Sequence, residues 1–279
     1  MTELDYLVIG HVTRDVVANS SFRIGGTVSY AARTARGCGC RVGVVTSAGP
    51  DLDLTAVLDG VCVAHMPARE TTTFENRYFG PVRMQLLHAV AEVLQPEAVP
   101  PDWRASIIHI GPVAQECPQA LLDVVGNAFL GLTPQGWMRA WDPAGRVYYR
   151  DWPSPEAWLE RADAVVLSET DVPEPALLLR YAARTHVLVI TRGAAGCTVV
   201  VDGVARDFPA PRVEEVDPTG AGDVFAAAFF IWMQAHGDPW GAARFANCVA
   251  ANSVTRVGVD GAPSVEEATR CRRAAAAMS

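Results

Sequence analysis

The sequence predicts an α/β protein in which helices cover both faces of a mostly parallel sheet. Six short apolar runs rich in β-branched residues recur along the 279 residues, and alanine- and leucine-rich stretches of helical length separate several of them. Strands that alternate with helices typically form a parallel sheet with helices on both faces. Half of the residues are hydrophobic, so the chain can bury a large core. We expect one domain over residues 1–279.

Strands and helices are predicted in alternating order along the chain. The predicted strands are YLVIG (6–10), RVGVVT (41–46), SIIHIG (106–111), DAVVLS (163–168), VLVITRG (187–193) and CTVVV (197–201). The predicted helices are TVSYAARTARG (27–37), CPQALLDVVGNAF (117–129) and PEPALLLRYAART (173–185). Residues 71–89 break the alternation, because two β-prone arms flank Phe79-Gly80-Pro81. This segment is either an ordinary edge hairpin or a small lid over an active site.

Charge and cysteine content exclude several classes of protein. A net charge of −8 provides no field for nucleic acid, so an anionic ligand would need a local binding site. The longest apolar run, residues 224–233, is too short to span a bilayer, and the N-terminus lacks the basic flank of a signal peptide. We therefore expect a soluble cytoplasmic protein with no nucleic-acid or membrane partner. The seven cysteines are scattered, which favours small buried side chains in a reducing compartment.

The stretch DPTGAGD, residues 217–223, stands directly before a strongly apolar run. Gly220, Ala221 and Gly222 are small enough for a ligand to approach their backbone, and a helix that begins there points its unpaired N–H groups at that ligand. Such a helix start is a ready anion site. Asp223 would then lie beside a bound phosphate and could accept a proton from an attacking hydroxyl. Alternatively, Asp223 only complements the helix dipole and Asp217 caps a turn.

DPTGAGD closely resembles the C-terminal signature D-T-x-G-A-G-D of the PfkB, or ribokinase-like, carbohydrate and nucleoside kinases, with proline in place of the usual threonine. Other stretches resemble further motifs of that family in the same order along most of the chain. They are IGHVTRD (9–15), IGGTVSYAA (24–32), VVLSETD (165–171), VITRG (189–193) and FANCVAANSVTRVGVDGAPSV (245–265). The resemblance implies a three-layer α/β/α ribokinase-like sandwich with a small β lid, and a kinase that uses ATP and Mg²⁺.

The resemblance also implies roles for individual residues. Asp223 would be the catalytic base, and the amides of Gly220, Ala221 and Gly222 would form the anion hole. The implied substrate ligands are Asp15, Gly25, Gly26 and Thr27, and the implied nucleotide ligands are Ser168, Glu169, Thr191, Gly193 and Asn247. Asp171 would hold Mg²⁺ indirectly, and Asp217 with Thr219 would place a monovalent cation such as K⁺. Simpler explanations stay open: a tight turn for the two glycines, a solvated loop acid for Asp15, and a helix cap for the Ser168–Asp171 segment.

Two further features bear on the phosphate region and the lid. The family often has D-P-N-x-R after a central strand. Two stretches here are candidates, TPQGWMR (133–139) and DPAGR (142–146), and the first is better placed because it directly follows the apolar run AFLGL. Gln135 or Arg139 could therefore reach the phosphates, although a purely structural arginine explains the pattern equally well. Only ten positions separate Asp15 from Gly25, where many family members insert longer lid strands, so we expect the lid to consist mainly of residues 71–87.

The composition of the lid predicts the class of acceptor. Its threonines, Glu75, Asn76, Arg83 and Gln85 would offer hydrogen bonds to a polyhydroxylated ligand, and TTTFENRY followed by R-x-Q resembles the subgroup that includes plant myo-inositol kinases. We therefore expect a kinase for a sugar or a cyclitol such as myo-inositol, present as a monomer or loose homodimer. A nucleoside kinase of the same family, or a ligand sensor without turnover, is the alternative.

Overall fold

A nine-stranded sheet forms the centre of the molecule. The computed structural model describes residues 1–17, 21–79 and 82–277. The strands are β1 (Thr2–Ile9), β2 (Thr13–Val16), β3 (Phe22–Gly25), β4 (Val42–Ala48), β5 (Cys62–Pro67), β6 (Thr73–Phe79), β7 (Val82–Ala89), β8 (Trp103–Ile110), β9 (Phe129–Leu132), β10 (Arg139–Trp141), β11 (Val147–Tyr149), β12 (Ala164–Ser168), β13 (Val187–Thr191), β14 (Cys197–Val201) and β15 (Val204–Phe208). The helices are α1 (Thr27–Gly37), α2 (Leu54–Val57), α3 (Glu156–Arg161), α4 (Pro175–Ala182), α5 (Ala221–His236), α6 (Pro239–Ser253) and α7 (Val265–Ala276).

The central sheet has the strand order β15-β14-β13-β12-β9-β8-β1-β4-β5. Its strands from β13 to β5 run parallel to one another, whereas β14 and β15 add an antiparallel edge. One buried cluster joins the sheet to α1, α5, α6 and α7, and a second cluster joins its other face to α3 and α4. The sheet therefore has helices on both faces, and the predicted fold class is confirmed.

The local sequence explains where the long helices begin. At α6, the carboxylate of Asp238 accepts hydrogen bonds from the N–H groups of Trp240 and Gly241, and Pro239 occupies the first turn. At α7, Ser264 and Glu267 form a reciprocal capping box. The predicted helix 117–129 is wrong, because a 3₁₀ turn over Gln119–Val124 stands there instead. None of the helices in the described ranges is long and apolar enough to span a bilayer.

The lid is a separate sheet of four strands in the order β3-β2-β6-β7. The predicted hairpin supplies β6 and β7, and its Gly80-Pro81 turn lies outside the described residues. The hairpin supplies most of the strand residues of the lid, as expected, but two further strands belong to it. The short segment around Asp15 and Gly25 forms the strands β2 and β3, which pair antiparallel, and β2 pairs with β6. Both four-residue strands lie between Thr13 and Gly25, so β2 begins two residues before Asp15.

The cysteines also depart from the expectation. Cys248 of α6 and Cys271 of α7 are joined by a disulfide, which sequence spacing alone did not predict. The other five are free thiols, and Cys62 on the edge strand β5 is exposed rather than buried. The two bonded positions lie 23 residues apart in sequence, and the packing of α6 against α7 brings them together.

Candidate active site

The DPTGAGD stretch forms the N-terminus of the buried helix α5. Gly220 caps this helix in the left-handed conformation with a φ of 77°. A Cβ atom at this position would lie 2.3 Å from the ring of Tyr30, so only glycine fits the turn. Open space surrounds Gly222, whereas the N–H of Ala221 donates to the Pro218 carbonyl at 3.2 Å. The helix start therefore offers an accessible anion cradle, but the Ala221 amide, predicted as part of the anion hole, already has an acceptor within the turn.

Asp223 occupies the first turn of α5, at the centre of a group of charged side chains. Asp223 is partly buried, and the loss of solvent around its carboxylate raises its pKa to about 6, although a hydrogen bond from Thr27 and the positive charge of Arg139 oppose this shift. The negative charges of Asp171 and Asp15 add smaller contributions to the rise in the pKa of Asp223. Thr27 is therefore in hydrogen-bonding contact with Asp223, and Asp15 and Asp171 lie within electrostatic range of it. A carboxylate with a pKa near neutrality suits a general base.

The residues predicted to bind the acceptor lie together at the junction of the lid and α1. Asp15 of β2 accepts a hydrogen bond from Thr13 Oγ1 at 3.1 Å. A Cβ atom at Gly25 would lie 2.5 Å from Asp15 Oδ2, so glycine is required for the carboxylate to rest there. Gly26 caps α1, and Thr27 is buried. Asp15 is therefore held in place by the lid rather than standing free in a loop.

The residues predicted to bind the nucleotide and its magnesium ion, apart from Asn247, lie at or just beyond the carboxyl ends of β12 and β13. Asp171 accepts the Ser168 N–H at 2.8 Å through one oxygen and the Gln135 amide at 2.7 Å through the other. These bonds hold the turn that follows β12, and the predicted helix cap is wrong because the next helix, α4, begins only at Pro175. Glu169 lies 3.6 Å from the Arg192 guanidinium, and Thr191 Oγ1 donates to the Leu167 carbonyl at 3.3 Å.

Gly193 also lies at this edge of the sheet. It is exposed, with open space around it. The backbone at Gly193 is therefore accessible to a ligand such as a nucleotide.

Two predicted residues have partners within the protein. Asn247 is buried, and its amide donates to the Phe208 carbonyl at 3.0 Å, which joins α6 to β15. This side chain is engaged inside the core rather than directed at a nucleotide, because its amide satisfies a backbone acceptor. Asp217 accepts the N–H groups of Thr219 and Gly258, both at 3.0 Å, and lies 3.5 Å from Arg23. Burial raises the pKa of Asp217, but these hydrogen bonds and the Arg23 charge outweigh that effect and lower it.

The structure also identifies residues that sequence reasoning left open or missed. Arg139 donates to the Gln135 amide oxygen at 2.7 Å and to the Val113 carbonyl at 3.0 Å, and its guanidinium lies 5.3 Å from the centroid of the Phe74 ring. Arg139 therefore connects the lid to the surroundings of Asp223. Arg23 was missed entirely. Its signal was its position two residues before Gly25, since alternate residues of a strand share a face.

No group of three or more potential metal ligands occurs among the residues that the structure describes. A magnesium ion at this site would therefore need oxygen atoms from phosphate groups or water, which is the usual arrangement where nucleotides bind. The open helix start at Gly222 fits a phosphate chain that carries such an ion.

Comparison with known proteins agrees with this geometry. Residues 154–266 match the model of the pfkB family carbohydrate kinases. The chain is 30% identical to the cytidine kinase of Thermococcus kodakarensis over 81% of its own length and 87% of that protein. It is 27% identical to the inositol 3-kinase of Oryza sativa subsp. japonica, covering 93% of this chain and 70% of that one. A pyrophosphate-dependent kinase of the ribokinase family, solved with a pyrophosphate analog and myo-inositol, superposes with a TM-score of 0.77 at 23% identity, over 95% of this chain and 99% of that one.

The comparisons and the described site agree on one reaction class. The matched proteins are phosphotransferases that act on an alcohol group, as the sequence predicted for this chain. The matched family segment includes the DPTGAGD turn and Asp223. This chain belongs to the PfkB family of carbohydrate kinases.

Proposed function

We propose that this kinase transfers the γ-phosphoryl group of ATP to a hydroxyl of a small sugar or cyclitol, such as myo-inositol. The observation that carries the proposal is the position of Asp223, which combines a pKa of about 6 with a place in the first turn of the anion-binding helix. Near pH 7 most Asp223 side chains are ionised and can accept the proton of an attacking hydroxyl. Bound ATP with Mg²⁺ would supply the phosphoryl group and neutralise part of its charge.

The remaining residues of the site orient the acceptor and stabilise charge. Thr27 donates to Asp223 and fixes the direction of its carboxylate. The Asp15 carboxylate, held by Thr13, can accept hydrogen bonds from acceptor hydroxyls. Negative charge that develops on the transferred group would meet the N-terminal amides of α5 and the positive charge of Arg139.

The lid supports a polyhydroxylated acceptor, but through fewer residues than the sequence indicated. Its threonines 71 and 72 are buried and hydrogen-bonded to Asp51 and His11, so they stabilise the lid instead of binding a ligand. Glu75 is paired with Arg77 and His88, and the side chain of Arg83 lies outside the described residues.

Of the lid residues predicted to bind the acceptor, two with amide side chains remain as candidates. Asn76 and Gln85 are hydrogen-bonded to each other at 3.1 Å. They share a face of the lid with Phe74, which packs against Val113 and Ala114. These amides are the lid groups best placed to meet acceptor hydroxyls.

A nucleoside acceptor is the second candidate, because the cytidine kinase relative has the higher identity. A panel assay decides between the two candidates: MgATP consumption with myo-inositol, fructose, ribose and cytidine, each repeated with pyrophosphate as donor. We expect the highest kcat/KM for a sugar or myo-inositol with ATP. A higher kcat/KM for cytidine would establish the second candidate, and pyrophosphate turnover without ATP turnover would overturn the donor assignment. Intact MgATP binding with no phosphorylated acceptor would favour a ligand sensor.

A further inference from the structure

Arg23 connects the lid to the turn that forms the anion site. It lies on β3 of the lid, is largely exposed, and its Nη1 atom is 3.5 Å from Asp217 Oδ2. The same strand packs against the Gly258–Gly261 turn at the end of the α6 segment. This is the one ion pair, among the described residues, between a lid strand and the DPTGAGD stretch.

Asp217 connects Arg23 to the backbone of the turn that forms the anion site. Its Oδ1 atom accepts the Thr219 N–H at 3.0 Å, and its Oδ2 atom accepts the Gly258 N–H at 3.0 Å. Thr219 directly precedes Gly220, the left-handed residue that begins α5. The Asp217 side chain therefore fixes the turn immediately before the amides that would receive phosphate, and Arg23 is the charged partner of that side chain.

The register of the lid places Arg23 beside the acceptor residue. Arg23 of β3 is directly opposite Asp15 of β2 in the antiparallel pair. Directly opposite residues lie on the same face with their Cβ atoms about 5 Å apart. A ligand bound at Asp15 would therefore lie close to Arg23, which also contacts Asp217 before α5.

We propose that Arg23 is a positioning residue that couples closure of the lid to phosphate binding through Asp217. This inference rests on the proposed function, since it assigns the coupling to the phosphoryl donor and the hydroxyl acceptor. Phosphate at the α5 amides adds negative charge beside Asp217, so the lid arginine is attracted more strongly when the donor is bound. The guanidinium is largely exposed, so the link is reversible and contributes about a three- to fivefold coupling between the two ligands.

Hydrogen–deuterium exchange tests the coupling without need of an acceptor or of turnover. The probe is the non-hydrolysable ATP analogue AMPPNP with Mg²⁺. In the unmodified chain we expect it to protect residues 217–222 and also the lid strand 22–25. In Arg23→Met, protection of 217–222 should remain and protection of 22–25 should be lost, whereas Arg23→Lys should restore it. Arg77→Met is the matched control, because Arg77 is also a lid arginine in an ion pair, but its partner is Glu75 within the lid.

The outcomes separate this inference from the proposed function. Lid protection that persists in Arg23→Met, or that is lost equally in Arg77→Met, would overturn the role of Arg23. An absence of protection at 217–222 in the unmodified chain would instead overturn the proposed donor site. A kinetic measurement completes the test, with the acceptor that the panel assay identifies. Saturating acceptor should lower the KM for MgATP by about three- to fivefold in the unmodified chain and leave it unchanged in Arg23→Met.

Discussion

Replacing Asp223 by asparagine tests the catalytic assignment most directly. The two side chains have nearly the same shape, so the helix start and the amides of α5 stay in place while the proton acceptor is lost. Because the pKa of Asp223 is about 6, most of these side chains are ionised at pH 7, and the substitution removes an active base. General-base catalysis contributes a factor of about 10²–10⁴, so turnover should fall at least about a hundredfold.

The same substitution should not weaken folding or donor binding. The pKa of Asp223 in the folded chain, about 6, lies above its ordinary value of 3.8, so the ionised carboxylate destabilises the fold. That cost is absent below pH 3.8 and complete above pH 6, which means that an uncharged asparagine should keep or raise Tm at pH 7.5. Binding of MgATP should be unchanged or tighter, since a negative charge near the phosphates is removed.

The measurement is a rapid-quench single-turnover experiment on the acceptor that the panel identifies, with Tm and the Kd for MgATP determined alongside. Asp217→Asn is the comparison, because Asp217 holds the preceding turn and should cost less turnover. Near-full single-turnover rates in Asp223→Asn would refute general-base catalysis. A variant that loses both its fold and its affinity for MgATP would show that Asp223 serves only as a helix-capping residue.

The remaining predictions concern protonation, backbone conformation, a buried amide and the cysteines. The kcat/KM should fall about tenfold for each unit of pH below about 6, because protonated Asp223 cannot accept a proton; a flat profile down to pH 5 would contradict the assigned pKa. Gly220→Ala should abolish MgATP binding and lower Tm, because the new Cβ atom would clash with the Tyr30 ring. Gly39→Ala is the control, because Gly39 has a similar positive φ in open space, and this substitution should cost only about 1–2 kcal/mol of unfolding free energy. Asn247→Ala should lower the unfolding free energy by about 1–3 kcal/mol in a urea titration, because the Phe208 carbonyl loses its partner, and a large rise in the KM for ATP would instead restore its nucleotide role. Thiol titration in denaturant should detect five thiols before reduction and seven after it, and seven at the outset would exclude the disulfide.

The lid shows which structural features a local sequence pattern can predict and which it cannot. The β-prone arms on either side of Phe79-Gly80-Pro81 predicted a hairpin correctly, because alternating side chains and a glycine-proline turn are properties of a few consecutive residues. The two short strands beside it were not predicted. Each of these strands has only four residues and a weak local signal, and the pairing of β2 with β6 depends on contacts between distant parts of the chain.

Asn247 shows the same limit for a functional residue. The likeness of residues 245–265 to a nucleotide-side helix suggested a ligand, but the direction of one amide on that helix depends on which strand packs against it. In the folded chain that strand is β15, and the Phe208 carbonyl takes the hydrogen bond. A motif indicates where a helix lies in the fold, whereas the partner of each side chain depends on packing.

The sequence by itself determined the alternation of strands and helices, the glycine turn before α5 and the position of Asp223, because each depends on neighbouring residues whose spacing sets backbone conformation. Only the tertiary structure decided that Asp223 has a raised pKa, that Thr27 donates a hydrogen bond to it, and that Arg23 of the lid pairs with Asp217. Desolvation and ion pairing depend on distances between groups that are remote in the chain, and those distances exist only after the sheet and the lid have formed.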